Sequence, residues 1–229
     1  MNKIGLVLAS VSCAVTAQAI TIFDDFNTGN TYQPNLGYTI GGPQSIDAVA
    51  APFTAAATGF LSTVDLGLTY PPNTQAGQIS AFLYADLAGT PNNASQIFLG
   101  SGTPTAVFNT TNNSVVSFNV AGTAPVIMGT NYWLVLKIAD PDSQWDVWMF
   151  NSIGATGDVQ RSGDGTNWLS IGETLPAFRL LASELPPGQT GNGVPDSGGT
   201  FAMLAGAVTV LVTLREWRLR LISSRNETQ

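Results

Sequence analysis

The chain has no histidine and only one cysteine, Cys13, among its 229 residues. The missing histidines exclude the usual Ser-His-Asp and Cys-His catalytic arrangements, and a single cysteine excludes an internal disulfide and a thiolate zinc site. Charge is also scarce, since Asp, Glu, Lys and Arg make up 10% of the residues. With 8 basic residues against 15 acidic ones, the net charge is −7. Such a surface repels nucleic acid and anionic polymers, so we expect no nucleic-acid partner.

With histidine absent and cysteine almost absent, carboxyl groups are the side chains that remain as candidate catalytic groups. Paired carboxylates hydrolyse glycosides, because one protonates the leaving oxygen while the other attacks or activates water. The carboxyl groups considered for this role are those of Asp24, Asp25, Asp140, Asp142, Asp146 and Glu173. None of them lies in a recognisable motif, and carboxylates of turns and surfaces are far commoner than catalytic ones. The sequence therefore predicts a protein that is not an enzyme, with a glycoside hydrolase as the less favoured alternative.

The first 19 residues have the organisation of a secretory signal peptide. Lys3 supplies a positive start, residues 4–15 form an apolar stretch, and Ala17 and Ala19 form a small-x-small cleavage site. Signal peptidase would cut before Ile20 and send the chain out through the Sec route.

The single cysteine admits a second interpretation, a lipoprotein anchor. Three residues before Cys13, however, stands Ser10, where a lipobox usually has leucine or a similar residue. We favour the interpretation in which Cys13 is removed with the signal peptide. The mature domain, residues 20–184, then holds together without disulfides.

The C-terminal residues 194–229 have the organisation of a cell-envelope sorting tail. The turn-forming motif Val194, Pro195, Asp196, Ser197 and Gly198 is followed by an uncharged apolar run over 199–214 and a basic end over 215–229 with Arg215, Arg218 and Arg220. The run predicts a single transmembrane helix and the arginines a stop-transfer signal, although the run is shorter than the usual ~20 residues. A buried core helix is the alternative. Before the motif, residues 185–193 are rich in Pro and Gly and predict an extended linker.

This tail closely resembles the C-terminal signals that exosortases process, in the VPDSG variant of the PEP-CTERM class. The resemblance covers about the last 35 residues. It implies that an exosortase-type membrane protease cuts near Val194–Gly198 and re-attaches the exported protein. It also implies a brief stay in the inner membrane, followed by the cell surface or an extracellular matrix, with exopolysaccharide as a further partner.

Between the two targeting ends, strand patterns and turn residues dominate, and no helix is indicated. The predicted strands are Thr21–Phe26, Gly59–Leu68, Gln78–Tyr84, Ser114–Val120, Tyr132–Ile138, Trp145–Phe150 and Ala177–Ala182. They predict an all-β domain, an antiparallel jelly-roll-like β-sandwich of about eight to ten strands. Ala177–Ala182 would close the sheet near the tether. The predicted core residues are Phe82, Tyr84, Phe118, Trp133, Val135 and Phe178.

The order of these segments resembles the choice-of-anchor domains of bacterial surface proteins. The residues that carry the resemblance are 129–136, which read Gly-Thr-Asn-Tyr-Trp-Leu-Val-Leu, and 162–168, which read Ser-Gly-Asp-Gly-Thr-Asn-Trp. It implies an anchored surface domain and no known catalytic residues.

The densest acidic cluster is Asp140, Asp142 and Asp146. Oxygen ligands at such spacing are suited to a structural Ca²⁺ in a loop, but the segment lacks the glycine and the final glutamate of an EF-hand loop. The alternative is an Asp-Pro turn between two strands, which we prefer. We therefore expect no cofactor, with Ca²⁺ as the open alternative.

Three tryptophans, Trp145, Trp148 and Trp168, are candidates for stacking on sugar rings, because a flat indole presents a large apolar face. Trp145 and Trp148 are three residues apart, so on one strand they point to opposite sides. Burial in the core is the commoner fate of such side chains. Two functional classes thus remain: a non-catalytic exported envelope or matrix protein, and an anchored carbohydrate-binding module for exopolysaccharide or for a plant or algal glycan.

Overall fold

The structure, a computed structural model, describes residues 19–42, 47–109, 114–120 and 122–184. Within these ranges the chain is all-β, with one 3-10 turn at Asn93–Ser95 and no α-helix. The strands are β1 (Ile20–Asp24), β2 (Tyr32–Gly41), β3 (Ala48–Thr54), β4 (Gly59–Thr69), β5 (Ile79–Leu87), β6 (Thr90–Pro91), β7 (Ile97–Gly102), β8 (Val115–Asn119), β9 (Pro125–Val126), β10 (Asn131–Ile138), β11 (Trp145–Asn151), β12 (Thr156–Ser162), β13 (Leu169–Thr174) and β14 (Phe178–Ser183).

The chain divides into two compact units, Met1–Gln189 and Thr190–Gln229, and every described residue belongs to the first. In the part of the chain that the structure describes, no helix has the length and apolar character needed to cross a membrane. The predicted transmembrane run at 199–214, the linker, the sorting motif, the arginines and residues 1–18 of the signal peptide lie outside the described residues.

The strands form two seven-stranded sheets, and every pairing between strands is antiparallel. The first sheet has the order β1-β14-β4-β11-β2, with β8 and β9 also paired to β4. The second has the order β13-β12-β3-β10-β5-β6, with β7 also paired to β5. β14 lies between β1 and β4, so the segment predicted at Ala177–Ala182 is an interior strand and does not close the sheet.

One hydrophobic cluster takes side chains from both sheets and joins them. Leu66, Trp148 and Phe178 come from the first sheet, and Leu134 and Leu136 from the second; all five are fully buried. Burying an aliphatic or aromatic side chain of this size contributes about 2 kcal/mol. A domain of this length can therefore form a sizeable core without disulfides.

β10 is apolar except for Asn131 and Lys137, and its middle residues are buried on both faces of the sheet. It pairs with β3 on one side and β5 on the other. Leu134 and Leu136 join the shared core, whereas Trp133 and Val135 point the other way and pack with Tyr84 in a separate cluster. Trp168 packs against that cluster from outside.

Strand number and core membership differ from the prediction in two respects. The described residues form fourteen strands where eight to ten were expected, because β2, β3, β7, β12 and β13 carry weak or interrupted alternation and β6 and β9 have only two residues each. Of the predicted core residues, Phe82 and Phe118 are only partly buried and pack at the margin of the clusters. The other four are buried as expected.

Candidate functional site: a cleft beside β3 and β12

A cleft of about 610 Å³ opens in the second sheet where β3 ends and β12 begins. The two strands pair only over Ala48–Ala50, opposite Gln160–Ser162. Pro52 has no N–H to offer a neighbouring strand, and the pairing of β12 with β13 changes register twice between Thr156 and Gln160. The residues that line the cleft are Phe23, Pro52, Phe53, Thr54, Asp86, Gly89, Asn131, Tyr132, Trp133, Thr156, Asp158 and Leu175.

Aromatic and aliphatic side chains of the lining pack on one another. The ring centroid of Phe53 lies 5.7 Å from that of Phe23 and 5.8 Å from that of Tyr132. Phe53 and Leu175 are buried, while Phe23 and Tyr132 are half-buried. These residues also touch the shared core, so the cleft gives access to the apolar interior of the domain.

Polar groups of the lining are held by short hydrogen bonds. The indole Nε1 of Trp133 donates to Asp86 Oδ1 over 2.7 Å, and the Gly89 N–H donates to Asp86 Oδ2 over 3.2 Å. Thr54 Oγ1 donates to Asn131 Oδ1 over 2.7 Å. The lining thus has polar atoms in fixed positions beside an aromatic surface, which is the usual composition of a small-molecule site.

The side-chain amide of Gln160 joins the two sides of the cleft. Its Nε2 donates to the carbonyl oxygen of Gly89 over 2.8 Å and to Asp158 Oδ2 over 3.0 Å. Ser170 Oγ donates to the other oxygen of Asp158. Gln160 is 4% exposed, and its Oε1 is buried without a hydrogen-bond partner among the described residues.

Trp168 lies at a second, smaller cleft of about 340 Å³ beside the Asn93–Ser95 turn. Its Nε1 donates to Asn93 Oδ1 over 3.1 Å, and Asn93 Nδ2 donates to the Thr166 carbonyl oxygen over 2.8 Å. The indole meets the Tyr84 ring edge-on at 6.3 Å between centroids. Trp168 remains partly exposed, but its polar atom is already bonded within the domain.

The other two tryptophans named as stacking candidates lie on β11. Trp148 is fully buried, stacks obliquely on Phe178 and donates from Nε1 to the Ala177 carbonyl oxygen over 3.1 Å. No face of its ring is open to a sugar, which leaves the core interpretation for this residue. Trp145 is half-buried and lies against the turn glycine Gly42. Neither residue lines the larger cleft.

The acidic segment forms a turn between β10 and β11. The Gln144 N–H donates to the Asp140 carbonyl oxygen over 2.9 Å, and the Ser143 hydroxyl donates to the Asp140 carboxyl. Asp146 points into the domain, where both of its oxygens accept from the Gly77 N–H at 3.1 Å. Burial raises the pKa of Asp146 to about 7. Across the described ranges, no group of three or more His, Cys, Asp or Glu residues could hold a metal ion.

Asp25 is the second buried carboxyl of the domain. Its Oδ1 accepts from the Phe178 N–H over 2.6 Å, while its Oδ2 has no partner within the described residues. Burial raises the pKa of Asp25 to about 8, and the neighbouring Asp24 adds to the effect. Neither Asp25 nor Asp146 lines the larger cleft. Both carboxyls are buried in the interior of the domain.

None of the candidate site residues named in the sequence analysis above lines the larger cleft. The sequence pattern assigns Trp133 to the core, and that residue both belongs to a buried cluster and lines the cleft. One sequence pattern could have indicated the cleft. Phe82, Tyr84 and Asp86 alternate along one strand, which places the Asp86 carboxyl on the same face of the sheet as Trp133. Asp158 and Gln160 lie on a strand that the pattern does not predict.

Comparison of the chain with protein-family models, with curated protein sequences and with solved structures finds no match.

Proposed function

We propose that the chain is a non-catalytic exported protein of the cell envelope or extracellular matrix, displayed as a jelly-roll-like sandwich. Its C-terminal tail would be a sorting signal that an exosortase-type enzyme processes. The observation that carries this proposal is the order of motif (194–198), apolar run (199–214) and arginines (Arg215, Arg218, Arg220) at the end of a chain that begins with a signal-peptide pattern.

The ends of the described domain are compatible with this use. Ile20, the first residue after the expected cut, pairs directly with Ala182 at the end of β14. The mature N-terminus and the start of the tail would therefore leave the domain side by side.

The proposal is tested by the intact mass of the mature protein recovered from its native envelope. Wild-type chain is compared with a Pro195→Ala, Asp196→Ala double variant. We expect a wild-type mass that begins at Ile20 and ends near residues 194–198, and an uncut tail in the variant. A mass extending to Gln229 in both proteins would instead indicate a plain C-terminal membrane anchor.

An anchored carbohydrate-binding module is the second candidate function, and the larger cleft favours it. Aromatic side chains and fixed polar atoms lie together there, as sugar recognition requires. A carboxylate glycoside hydrolase is less favoured, because the two carboxyls with raised pKa, Asp25 and Asp146, are buried away from that cleft.

A further inference from the structure

The larger cleft is rich in hydrogen-bond acceptors. Asp86 and Asp158 supply four carboxyl oxygens, and each of these oxygens accepts a single hydrogen bond from the described residues. A carboxylate oxygen can accept about two, so every one of them has capacity for a donor from a ligand. None of the lining residues is lysine or arginine.

Gln160 lies behind the polar part of the cleft and holds two groups of the lining in place. It is buried and does not itself line the cleft. Its Nε2 donates to the Gly89 carbonyl oxygen and to Asp158, and both of these residues line the cleft. The Asp158 carboxyl is therefore fixed in position before a ligand arrives.

The apolar part of the cleft selects among donors. Phe23 and Tyr132, which are half-buried, offer ring surface, and Pro52 extends it. A sugar ring presents C–H groups on its face and hydroxyl donors at its edge, so it complements both parts of the cleft at once. An anionic sugar is disfavoured, because it would meet Asp86 and Asp158 in a lining without lysine or arginine.

We propose that this cleft binds a short stretch of a non-anionic, hydroxyl-rich glycan. The rings of Phe23 and Tyr132 support the sugar, and its hydroxyls donate to Asp86 and Asp158. The volume of about 610 Å³ lies within the range of small-ligand sites. The proposal rests on the second candidate function, and it places recognition at these four residues instead of the tryptophans that the sequence singles out.

The test uses the full chain, labelled with ¹⁵N at tryptophan and purified in a phosphocholine detergent, which carries no sugar. Its five tryptophans give separate indole N–H resonances, and a Trp133→Phe variant assigns the one that donates to Asp86. The probes are neutral tetrasaccharides of glucose, galactose and mannose, a tetrasaccharide of glucosamine, and tetragalacturonate as the anionic comparison. Each is added to about 10 mM, where even a millimolar binder is mostly occupied.

We expect at least one non-anionic probe to shift the Trp133 resonance and tetragalacturonate to leave it unchanged. Asp86→Asn and Asp158→Asn should each weaken binding about tenfold, the effect of one lost charge-assisted hydrogen bond. Asp142→Asn is the matched control, since Asp142 is exposed and lies on the turn between β10 and β11. It should bind as the wild type does.

Three results would overturn the proposal: no probe shifts the Trp133 resonance, tetragalacturonate binds as well as the neutral probes, or Asp142→Asn weakens binding as much as Asp86→Asn. Failure here would not bear on the sorting tail, because the mass of the mature protein tests that separately. Conversely, an uncut tail would leave sugar binding by the cleft unaffected.

Discussion

Arg179 of β14 lies directly opposite Asp65 of β4, and its Nη2 and Nε reach Asp65 Oδ2 at 2.6 Å and 2.8 Å. The other carboxyl oxygen accepts from Ser117 of β8 over 2.5 Å, and Arg179 Nη1 donates to Asn30 over 2.9 Å. One ion pair therefore ties together three strands and the turn after β1. The Asp65 side chain is only 6% exposed, so it depends on this partner.

Arg179→Met should destabilise the domain by about 3 kcal/mol, because it leaves the Asp65 carboxylate buried without its counter-charge. The measurement is the free energy of unfolding from urea denaturation. An Asp65→Asn, Arg179→Met double variant should recover part of the loss, since no charge then remains buried. A single variant as stable as the wild type would contradict this account of the pair.

The stability of the domain should fall as pH rises from about 5 to about 9. In the folded state the pKa values of Asp25 and Asp146 are raised to about 8 and about 7. At any pH between the pKa of an aspartate in the unfolded chain and these raised values, the folded state binds more protons than the unfolded state. Stability contributed by the neutral carboxyls is complete below the unfolded pKa and is lost through pH 7–8. The backbone N–H groups of Asn167 and Thr166 lower the pKa of Asp164. The stability that this contributes is lost only as pH falls below about 5, outside the range from about 5 to about 9.

Urea midpoints measured at intervals from pH 5 to 9 check this dependence. Asp25→Asn keeps an acceptor for the Phe178 N–H but cannot ionise, so the slope should become shallower, and an Asp25→Asn, Asp146→Asn double variant should be nearly flat. Asp142→Asn, an exposed carboxyl, serves as the control and should keep the wild-type slope. Equal slopes in all four proteins would refute the assignment.

Gly41→Ala should be much more destabilising than Gly154→Ala, although the two glycines have almost the same backbone conformation, with φ of 75° and 77°. Both changes incur the strain of a left-handed alanine, about 1–2 kcal/mol. At Gly41 a Cβ would also collide with the Gln144 carbonyl oxygen, whereas at Gly154 it meets nothing within 4 Å. Thermal unfolding midpoints of the two variants compare the sites. Similar losses would mean that the turn after β2 can shift.

Calcium at about 2 mM should leave the thermal midpoint of the domain unchanged. The Asp146 carboxyl is buried against the Gly77 N–H, and the Asp140 carboxyl accepts from Ser143, so these two groups already have partners. A bound ion would raise the midpoint by mass action. A rise that Asp140→Asn abolishes would establish the calcium site that we do not expect.

Strong alternation and long apolar runs made half of the strands predictable. Each of the seven predicted strands overlaps an observed one, and Gly59–Leu68 differs from β4 by a single residue. β3 was missed because three of its seven residues are alanine and it contains Pro52, which weakens any strand prediction. β13 was missed because it is an edge strand with no buried residue and with only two apolar residues to indicate alternation.

The candidate site was harder to predict, for a physical reason. Its lining comes from five strands, from the segment before β14 and from the turn after β5, and only the pairing of those strands brings Asp86 near Asp158. The two residues are 72 positions apart, and no local pattern connects them. Trp133 belongs to a buried cluster and also lines the cleft. The sequence pattern assigns a residue either to the core or to a site, so it predicts only the first of these positions.

The position of β14 has a mechanical consequence. It is the last strand before the tail, yet it is hydrogen-bonded along both edges, to β1 and to β4. A force applied along β14 at residue 184 would therefore shear two ladders at once, because β14 is not a lone strand at a sheet edge. A load of that direction would be shared by the hydrogen bonds to β1 and to β4.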